Sequence, residues 1–150
     1  MQTTASLFID GASAADVFEQ LATLDRYPPW MRLVHRVEAL PPDDGRPAWR
    51  VELRARVGPF ARSKQLRMVR TVHEPPHRVR FERVQDDERD HAAWILSAAV
   101  EDGDGGALVV TELSYSGKLW GSSVLERVLE DEIGRGKDAL TGLVTVEPTR

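Results

Sequence analysis

His73, Glu74 and His77 form the string H-E-x-x-H, a pattern that binds zinc in metalloproteases. That chemistry needs both histidines on one face of a helix, one turn apart, with the glutamate beside the metal-bound water. Here Pro75 and Pro76 separate the histidines, and two prolines inside a helix prevent it from forming. A hairpin turn could still bring the histidines together, but the sequence offers no evident third ligand. We therefore predict no metal site and no cofactor.

Other reactive groups give little support for catalysis. The chain has no cysteine, which excludes disulfides, thiolate nucleophiles and thiol metal ligands. Gly103, Gly105 and Gly106 lie in an Asp/Gly stretch with no following lysine, unlike a phosphate-binding loop. No serine has an identifiable histidine partner, so covalent catalysis is unsupported. Whether the protein is an enzyme stays open, and its catalytic residues are unknown.

Glu132 and Arg70 interrupt the hydrophobic pattern. Glu132 falls on the apolar face of a C-terminal amphipathic segment, and Arg70 shares its strand parity with Leu66 and Met68. Either Arg70 points inward or its strand contains a bulge. Burial would favour the neutral form of Glu132, whereas an inward arginine would keep it ionised and could orient a polar ligand group. The alternative is that Glu132 bends past the helix edge to water or to a surface arginine.

Strands and short helices must position these residues. Residues 3–9 alternate as a strand does, and Ser13 is a suitable N-cap for a short helix that buries Val17 and Leu21. Prolines 28 and 29 end the helical region, with space for a second single turn before Trp30.

The middle of the chain is predicted to form strands joined by turns. From residue 33 onward, turn sequences occur at 41–47, 58–60, 74–77, 86–90 and 102–106. This spacing predicts a meander of six strands joined as hairpins. The clearest strand covers residues 49–57, where apolar residues alternate with three arginines and a glutamate.

A long amphipathic helix is predicted over residues 119–144, about 39 Å at 1.5 Å per residue, enough to cross a whole sheet. Its apolar face contains Leu125, Leu129, Ile133, Leu140 and Leu143. Gly136 lies on the same face, although glycine costs about 1 kcal/mol relative to alanine inside a helix. Either the helix contacts a strand closely there, or the missing side chain leaves room for a ligand.

Composition fits one soluble globular domain over residues 1–150, with 41% hydrophobic and 29% charged residues. We find no signal peptide and no membrane-spanning stretch, so we expect a cytoplasmic protein. Charge is segregated: residues 46–83 hold eleven Lys/Arg and three Glu, a net +8, whereas the rest holds nine basic and twenty-one acidic residues, a net −12. These charges either pair across exposed strand faces or form a dock for a phosphate-bearing ligand, an anionic membrane or an acidic partner.

The residues Asp25, Arg26, Tyr27, Pro28, Pro29 and Trp30 resemble the D-x-x-x-Y-P-x-W passage of the START-like polyketide cyclase/dehydrase and lipid transport superfamily (SRPBCC), allowing for spacing. The element order also resembles this family over essentially the whole chain. The resemblance implies an α+β helix-grip fold: a curved antiparallel sheet of about seven strands around a long C-terminal helix, with two short helices between strands 1 and 2. In this passage the motif stiffens a helix-to-strand junction and does no chemistry.

Family membership implies a hydrophobic cavity between the long helix and the sheet, opening near the short helices. Carried over by position, the ligand-binding candidates are Leu53, Ala55, Met68, Arg70, Trp94, Tyr115, Leu129 and Glu132. Aromatase/cyclase members use inward arginine, tyrosine and tryptophan side chains, parts that Arg70, Tyr115 and Trp94 could play here. The 57–60 turn also resembles, faintly, a branch associated with membrane recruitment.

Three functional hypotheses follow. The first is binding or carriage of a small hydrophobic molecule, such as a lipid, quinone or polyketide, in the internal cavity. The second is a polyketide aromatase/cyclase or dehydratase acting in that cavity. The third is recruitment to a membrane surface or a partner through the Arg-rich strands. Nucleic acid is not an expected partner because aromatic residues do not alternate with the exposed arginines. The oligomeric state stays open.

Overall fold

The computed structural model describes residues 2–57, 59–84, 93–116, 135–136 and 138–143. Seven strands form one sheet in which every pair of neighbours is antiparallel, in the order β1-β7-β6-β5-β4-β3-β2. The strands are β1 (Gln2–Asp10), β2 (Val34–Asp43), β3 (Arg46–Val57), β4 (Phe60–Glu74), β5 (Arg78–Arg83), β6 (Trp94–Gly103) and β7 (Gly106–Tyr115). This sheet confirms the predicted meander, and the structure adds that the first strand pairs with the last. The predicted turn at 86–90 lies outside the described residues.

One face of the sheet, which we call the core face, carries the hydrophobic core. Along β3, Trp49, Val51 and Leu53 are buried while Arg50 and Arg54 are exposed, as the alternation predicts. We call the opposite side the outer face.

The turn between β2 and β3 is shorter than the sequence predicts. Between β2 and β3, Asp44 and Gly45 both have positive φ, 51° and 80°, as a two-residue type I′ turn requires. The predicted 41–47 turn is therefore too long, because Pro41 and Pro42 belong to β2. Proline is tolerated there because β2 is an edge strand, whose outward N–H groups need no partner.

Strand β4 contains a bulge, because its register with β5 shifts between Arg70 and Val72. Arg70 lies opposite the buried Phe81, and His73 lies opposite the buried Val79, so both belong to the core face. The two sequence alternatives for Arg70 are therefore both realised: it points inward, and the strand is bulged just after it. Val72 instead pairs with Arg80 on the outer face.

Two short helical elements follow β1. Helix α1 (Ala14–Leu21) begins at Ser13, whose Oγ accepts a hydrogen bond from the Asp16 amide at 3.2 Å, confirming the predicted N-cap. It buries its apolar face, including Val17 and Phe18, on the sheet. A 3₁₀ helix (Leu24–Arg26) supplies the predicted second turn.

The C-terminal helical segment comprises residues 135–136 and 138–143. Leu140 is buried in the core, whereas Leu143, predicted for the same apolar face, is 42% exposed. Gly136 is buried because it meets the loop that precedes β2. A Cβ added there would lie 3.0 Å from the carbonyl oxygen of Trp30 and 3.5 Å from its indole ring. The close contact predicted at this glycine is therefore made with a loop and not with a strand. Residues 119–134, 137 and 144 of the predicted long helix lie outside the described residues.

Candidate functional site

The C-terminal end of β4 contacts α1 through specific side-chain interactions. The guanidinium of Arg70 donates from Nη1 to the carbonyl oxygen of Ala22, the C-cap residue of α1, at 2.8 Å. A cation at a helix C-terminus also interacts favourably with the helix dipole. Partial burial lowers the pKa of Arg70. This predicted ligand-binding side chain thus holds α1 in place.

His73, one residue past the bulge, contacts the same helix. Its ring stacks on Phe18 with centroids 5.8 Å apart and 20° between planes. Desolvation by burial, followed by the nearby charge of Arg70, lowers the pKa of His73. The neutral ring is therefore the form that this end of the sheet favours.

Two further side chains hold the ends of α1. At the N-terminus, Asp102 of β6 accepts a hydrogen bond from the Ala14 amide at 2.9 Å. At the C-terminus, the hydroxyl of Tyr27 donates to the Leu21 carbonyl at 2.9 Å. Complete burial raises the pKa of Tyr27, so its hydroxyl stays protonated as the donor that this bond requires. Side chains outside α1, one of them 88 residues away, thus satisfy backbone groups that a helix leaves without partners.

The D-R-Y-P-P-W passage anchors an aromatic cluster, as expected of a stiff junction. Tyr27 and Trp30 have ring centroids 4.7 Å apart, and Tyr27 meets Phe81 edge-on at 6.0 Å. Trp49 meets the same phenylalanine edge-on at 5.6 Å. Such pairs add to the stabilisation that burial gives. The cluster joins the junction to β3 and β5 and so fixes the position of Trp30.

Beside Trp30 lies a cavity of about 30 Å³, which we call the Trp30 cavity. It opens between β1, β7 and the C-terminal helical segment. Its lining is mainly apolar and comprises Ala5, Ser6, Leu7, Trp30, Met31, Val109, Thr111, Gly136 and Leu140. Its volume suits a water-sized group rather than a whole lipid. None of the four predicted ligand-binding residues whose side chains the structure describes, Leu53, Met68, Arg70 and Trp94, lines it.

The predicted ligand-binding residues divide into three groups. Leu53, Met68 and Trp94 are buried on the core face, and Arg70 is half-buried there. Ala55 and Tyr115 lie on β3 and β7, but the structure does not describe their side chains. Leu129 and Glu132 lie outside the described residues. The structure thus brings four of the eight to one face, and their role in binding stays a prediction.

Sequence reasoning missed two cations on the core face. Lys64 pairs with Leu53 across β3 and β4, and Arg83 pairs with Met68 across β4 and β5. Directly opposed residues project to the same face, so Lys64 and Arg83 share the side of the buried Leu53 and Met68. Strand parity could have placed Lys64 on the core face, because Lys64 has the same parity as Leu66. For Arg83, the same placement required the register of β5 with β4.

Three other arginines of the basic middle segment contact carboxylates. On the outer face Arg50 pairs with Glu38 at 3.1 Å, Arg67 with Asp43 at 3.1 Å, and Arg80 contacts Glu82 at 3.5 Å. The first two contacts join different strands and agree with the first interpretation of the charge segregation, whereas Arg80 and Glu82 both lie on β5. Because exposed pairs contribute little to stability, their main effect is to balance local charge.

The H-E-x-x-H residues form no helix. Glu74 ends β4, and residues 75–77 make the turn to β5, as the two prolines require. The ring Nδ1 of His77 lies 2.9 Å from the Val100 carbonyl oxygen, whereas His73 stacks on Phe18. Across the described ranges, no three His, Asp or Glu side chains are arranged to hold a metal ion.

Residues 1–145 match the family described as polyketide cyclase/dehydrase and lipid transport. The chain belongs to this family. No curated protein matches it in sequence. Within the described residues, no helix is long and apolar enough to cross a membrane.

Solved structures share the fold at low sequence identity. A START superfamily protein from Mycobacterium smegmatis has a TM-score of 0.68 at 17% identity, covering 96% of this chain and 95% of that one. The aromatase/cyclase Zhui from Streptomyces sp. R1128 has a TM-score of 0.63 at 15% identity, covering 95% and 92%. The di-domain aromatase/cyclase StfQ of the steffimycin biosynthetic pathway has a TM-score of 0.68 at 15% identity and 95% coverage of this chain. The chain spans about half of StfQ, 50% of its length.

Proposed function

We propose that this chain binds a small hydrophobic molecule between the core face of its sheet and the C-terminal helical segment. The observation that carries the proposal is the apolar Trp30 cavity, which lies between these two elements. Ligand sites in proteins are concave and mostly apolar, with a few polar groups that fix orientation. Ser6 and Thr111 are the hydroxyl-bearing residues of this lining. Membership of a family that includes lipid transport supports the same function.

The size of the cavity constrains how binding would occur. At about 30 Å³ it admits a small group, so a larger molecule needs additional space. Separation of the helical segment from Trp30 would supply it, because Gly136 and Leu140 form one wall of the cavity.

The experiment uses the neutral fluorescent probe N-phenyl-1-naphthylamine and two matched variants. Gly136→Leu inserts a side chain into the wall of the Trp30 cavity and should weaken probe binding about tenfold, equivalent to about 1.4 kcal/mol. Gly142→Leu is the control, because a Cβ there meets no atom within 4 Å and Gly142 does not line the cavity. Fluorescence titration measures both affinities.

A second variant covers the case in which Gly136→Leu does not fold. Leu7→Trp narrows the cavity from the edge strand β1, where Leu7 is only half-buried and overpacking costs less. Equal probe affinity in the wild type and in the folded cavity variants would refute the proposed site. Native mass spectrometry of protein purified from its own host would then identify the natural ligand.

The alternative is a polyketide aromatase/cyclase reaction on the same face. The family description and the likeness in fold to StfQ and Zhui favour it. Arg70 and Trp94 could orient a polyketide, although Arg70 Nη1 already bonds to Ala22. Arg70→Ala and Glu132→Gln should then abolish turnover of a polyketide substrate while folding is retained. Turnover that survives both substitutions would exclude this assignment of roles.

A further inference from the structure

The two edges of the sheet differ in how they prevent pairing with another chain. β1 and β2 are the edge strands, and an edge strand presents backbone N–H and C=O groups without partners. β2 is protected, because Pro41 and Pro42 lack the N–H donor and its register with β3 shifts twice. β1 contains no proline, lysine or arginine, and it pairs with β7 over nine residues without a register shift. β1 is therefore the edge to which another strand can add.

The hydrogen bonds of β1 show which of its backbone groups face away from the sheet. The Gly11 N–H donates to the Gly105 carbonyl oxygen at 2.7 Å, and bonded and non-bonded pairs alternate along an antiparallel ladder. The odd-numbered residues of β1 therefore bond to β7, and the even-numbered residues direct their N–H and C=O groups outward. All five of these are exposed: Gln2, Thr4, Ser6, Phe8 and Asp10. Among the described residues, no backbone group of the chain pairs with this outward side.

Exposed hydrophobic side chains lie at the same edge. Phe8 and Leu108 are directly opposed across β1 and β7 on the outer face, and they are 48% and 40% exposed. The only charged residue of β1 is Asp10, so little charge repels an approaching strand. Exposed apolar side chains beside outward backbone groups favour the addition of a strand.

β1 is complementary to a second copy of itself in the antiparallel orientation. With Ser6 on a two-fold axis, all nine residues pair, and the outward groups of the even-numbered residues face one another. Gln2 then lies opposite Asp10 of the second copy, where its amide can donate to the carboxylate. A parallel pairing in the same register would instead place two Asp10 carboxylates side by side. Charge thus favours the two-fold antiparallel arrangement.

We propose that two copies of this chain associate through β1, antiparallel about a two-fold axis at Ser6, and so join their two sheets into one. The outward N–H and C=O groups of β1 gain partners in this arrangement, as in other cases of strand addition. The Trp30 cavity lies beside the interface, because Ala5, Ser6 and Leu7 contribute to its lining. The interaction goes beyond the proposed function, and its test needs no ligand.

Sedimentation velocity on the full chain measures the association. As the protein concentration rises, the mass should shift from the 16.8 kDa of one chain to twice that value. One strand pair is a small interface, so we expect a dissociation constant on the order of 10 μM.

A matched pair of lysine substitutions assigns the association to this edge. Ser6→Lys should weaken it about tenfold, because two like charges then face each other at the axis. Ser63→Lys is the control, since Ser63 is exposed on the outer face of the central strand β4, opposite Arg54. The control should leave the dissociation constant within about twofold of the wild type. Circular dichroism checks that both variants fold.

Disulfide cross-linking tests the register, because the chain has no cysteine of its own. In Ser6→Cys the two Cα atoms would lie about 5.5 Å apart, which suits a disulfide. In Thr4→Cys the two cysteines would be four residues apart along the strands, about 14 Å, too far to bond. Mild oxidation should therefore give a covalent dimer of Ser6→Cys and leave Thr4→Cys monomeric on a non-reducing gel.

Three results would contradict the proposal. A wild-type protein that stays monomeric up to about 1 mM would exclude the association. A dimer that Ser6→Lys leaves as tight as the wild type would place the contact elsewhere on the molecule. Cross-linking of Thr4→Cys as efficient as that of Ser6→Cys would overturn the two-fold axis at Ser6.

Discussion

Each end of β4 carries a basic side chain on the core face, but the protein supplies a partner at only one of the two ends. Toward its C-terminal end, Arg70 bonds to the Ala22 carbonyl and His73 stacks on Phe18, so helix α1 satisfies both. Toward its N-terminal end, Lys64 lies among apolar side chains and pairs with no carboxylate in the described ranges. From this contrast we infer that a cation on the core face stabilises the fold where the protein supplies a hydrogen-bond acceptor for it. Where it does not, a partly exposed cation such as Lys64 keeps its charged end in contact with water.

The strongest test of this contrast is the matched pair Arg70→Met and Lys64→Met. Arg70→Met should lower the free energy of unfolding by about 2 kcal/mol, because it removes a charge-assisted hydrogen bond and leaves a partly buried carbonyl without its donor. Lys64→Met should change it by less than about 0.5 kcal/mol, since it replaces a partly buried charge with an apolar side chain. Urea denaturation measures both. Equal losses would show that Lys64 is structural.

Tyr27→Phe probes the same helix end with a neutral group. The substitution keeps the ring in its aromatic cluster and removes the hydroxyl that donates to Leu21. We expect a loss of about 1 kcal/mol in the free energy of unfolding, smaller than for Arg70→Met because the donor is uncharged. Thermal unfolding monitored by circular dichroism gives the comparison. An unchanged midpoint would mean that the Leu21 carbonyl does not depend on this bond.

The smallest expected effect is a pH dependence of the free energy of unfolding, which His73 contributes at the end of β4 that contacts α1. Because its pKa is lowered in the folded protein, the unfolded chain takes up the proton first as pH falls. The stabilisation is therefore complete above the unfolded pKa, about 6.5, and is lost as pH falls through the lowered folded value. Among the described residues, the neighbours that set this environment are Phe18 on α1 and Arg70 on β4.

His73→Phe isolates that contribution, since it can retain a ring contact with Phe18 and removes the titrating group. The loss of stability between pH 7.5 and pH 5 should be smaller in this variant than in the wild type. Denaturant titrations at the two pH values measure the difference. Identical pH dependence in both proteins would assign it to other groups.

Features governed by short-range rules could be predicted from sequence. Ser13 was identified as an N-cap, and the alternation of Trp49, Val51 and Leu53 placed the core face of β3. The proline pair at residues 75–76 was sufficient to exclude a helical zinc site. Each depends on residues within a few positions of one another, where capping, side-chain parity and proline geometry act directly.

Features that depend on long-range pairing could not be predicted in the same way. The bulge after Arg70 arises from the register between β4 and β5, and the acceptor of Arg70 is a carbonyl 48 residues earlier in the chain. The Trp30 cavity combines β1, β7 and the C-terminal helical segment, so no local pattern marks its lining. Leu143 had the right helical spacing for burial and is nevertheless exposed.

By itself the sequence determined the strand-rich meander and the helix that follows the first strand, because apolar periodicity and turn residues are properties of local sequence. The family was indicated by the resemblance of residues 25–30 and of the element order, and the match over residues 1–145 shows it. Only the tertiary structure decided which cations on the core face find an acceptor. That outcome depends on which backbone carbonyls and carboxylates folding brings within hydrogen-bonding distance, and those groups come from distant parts of the chain.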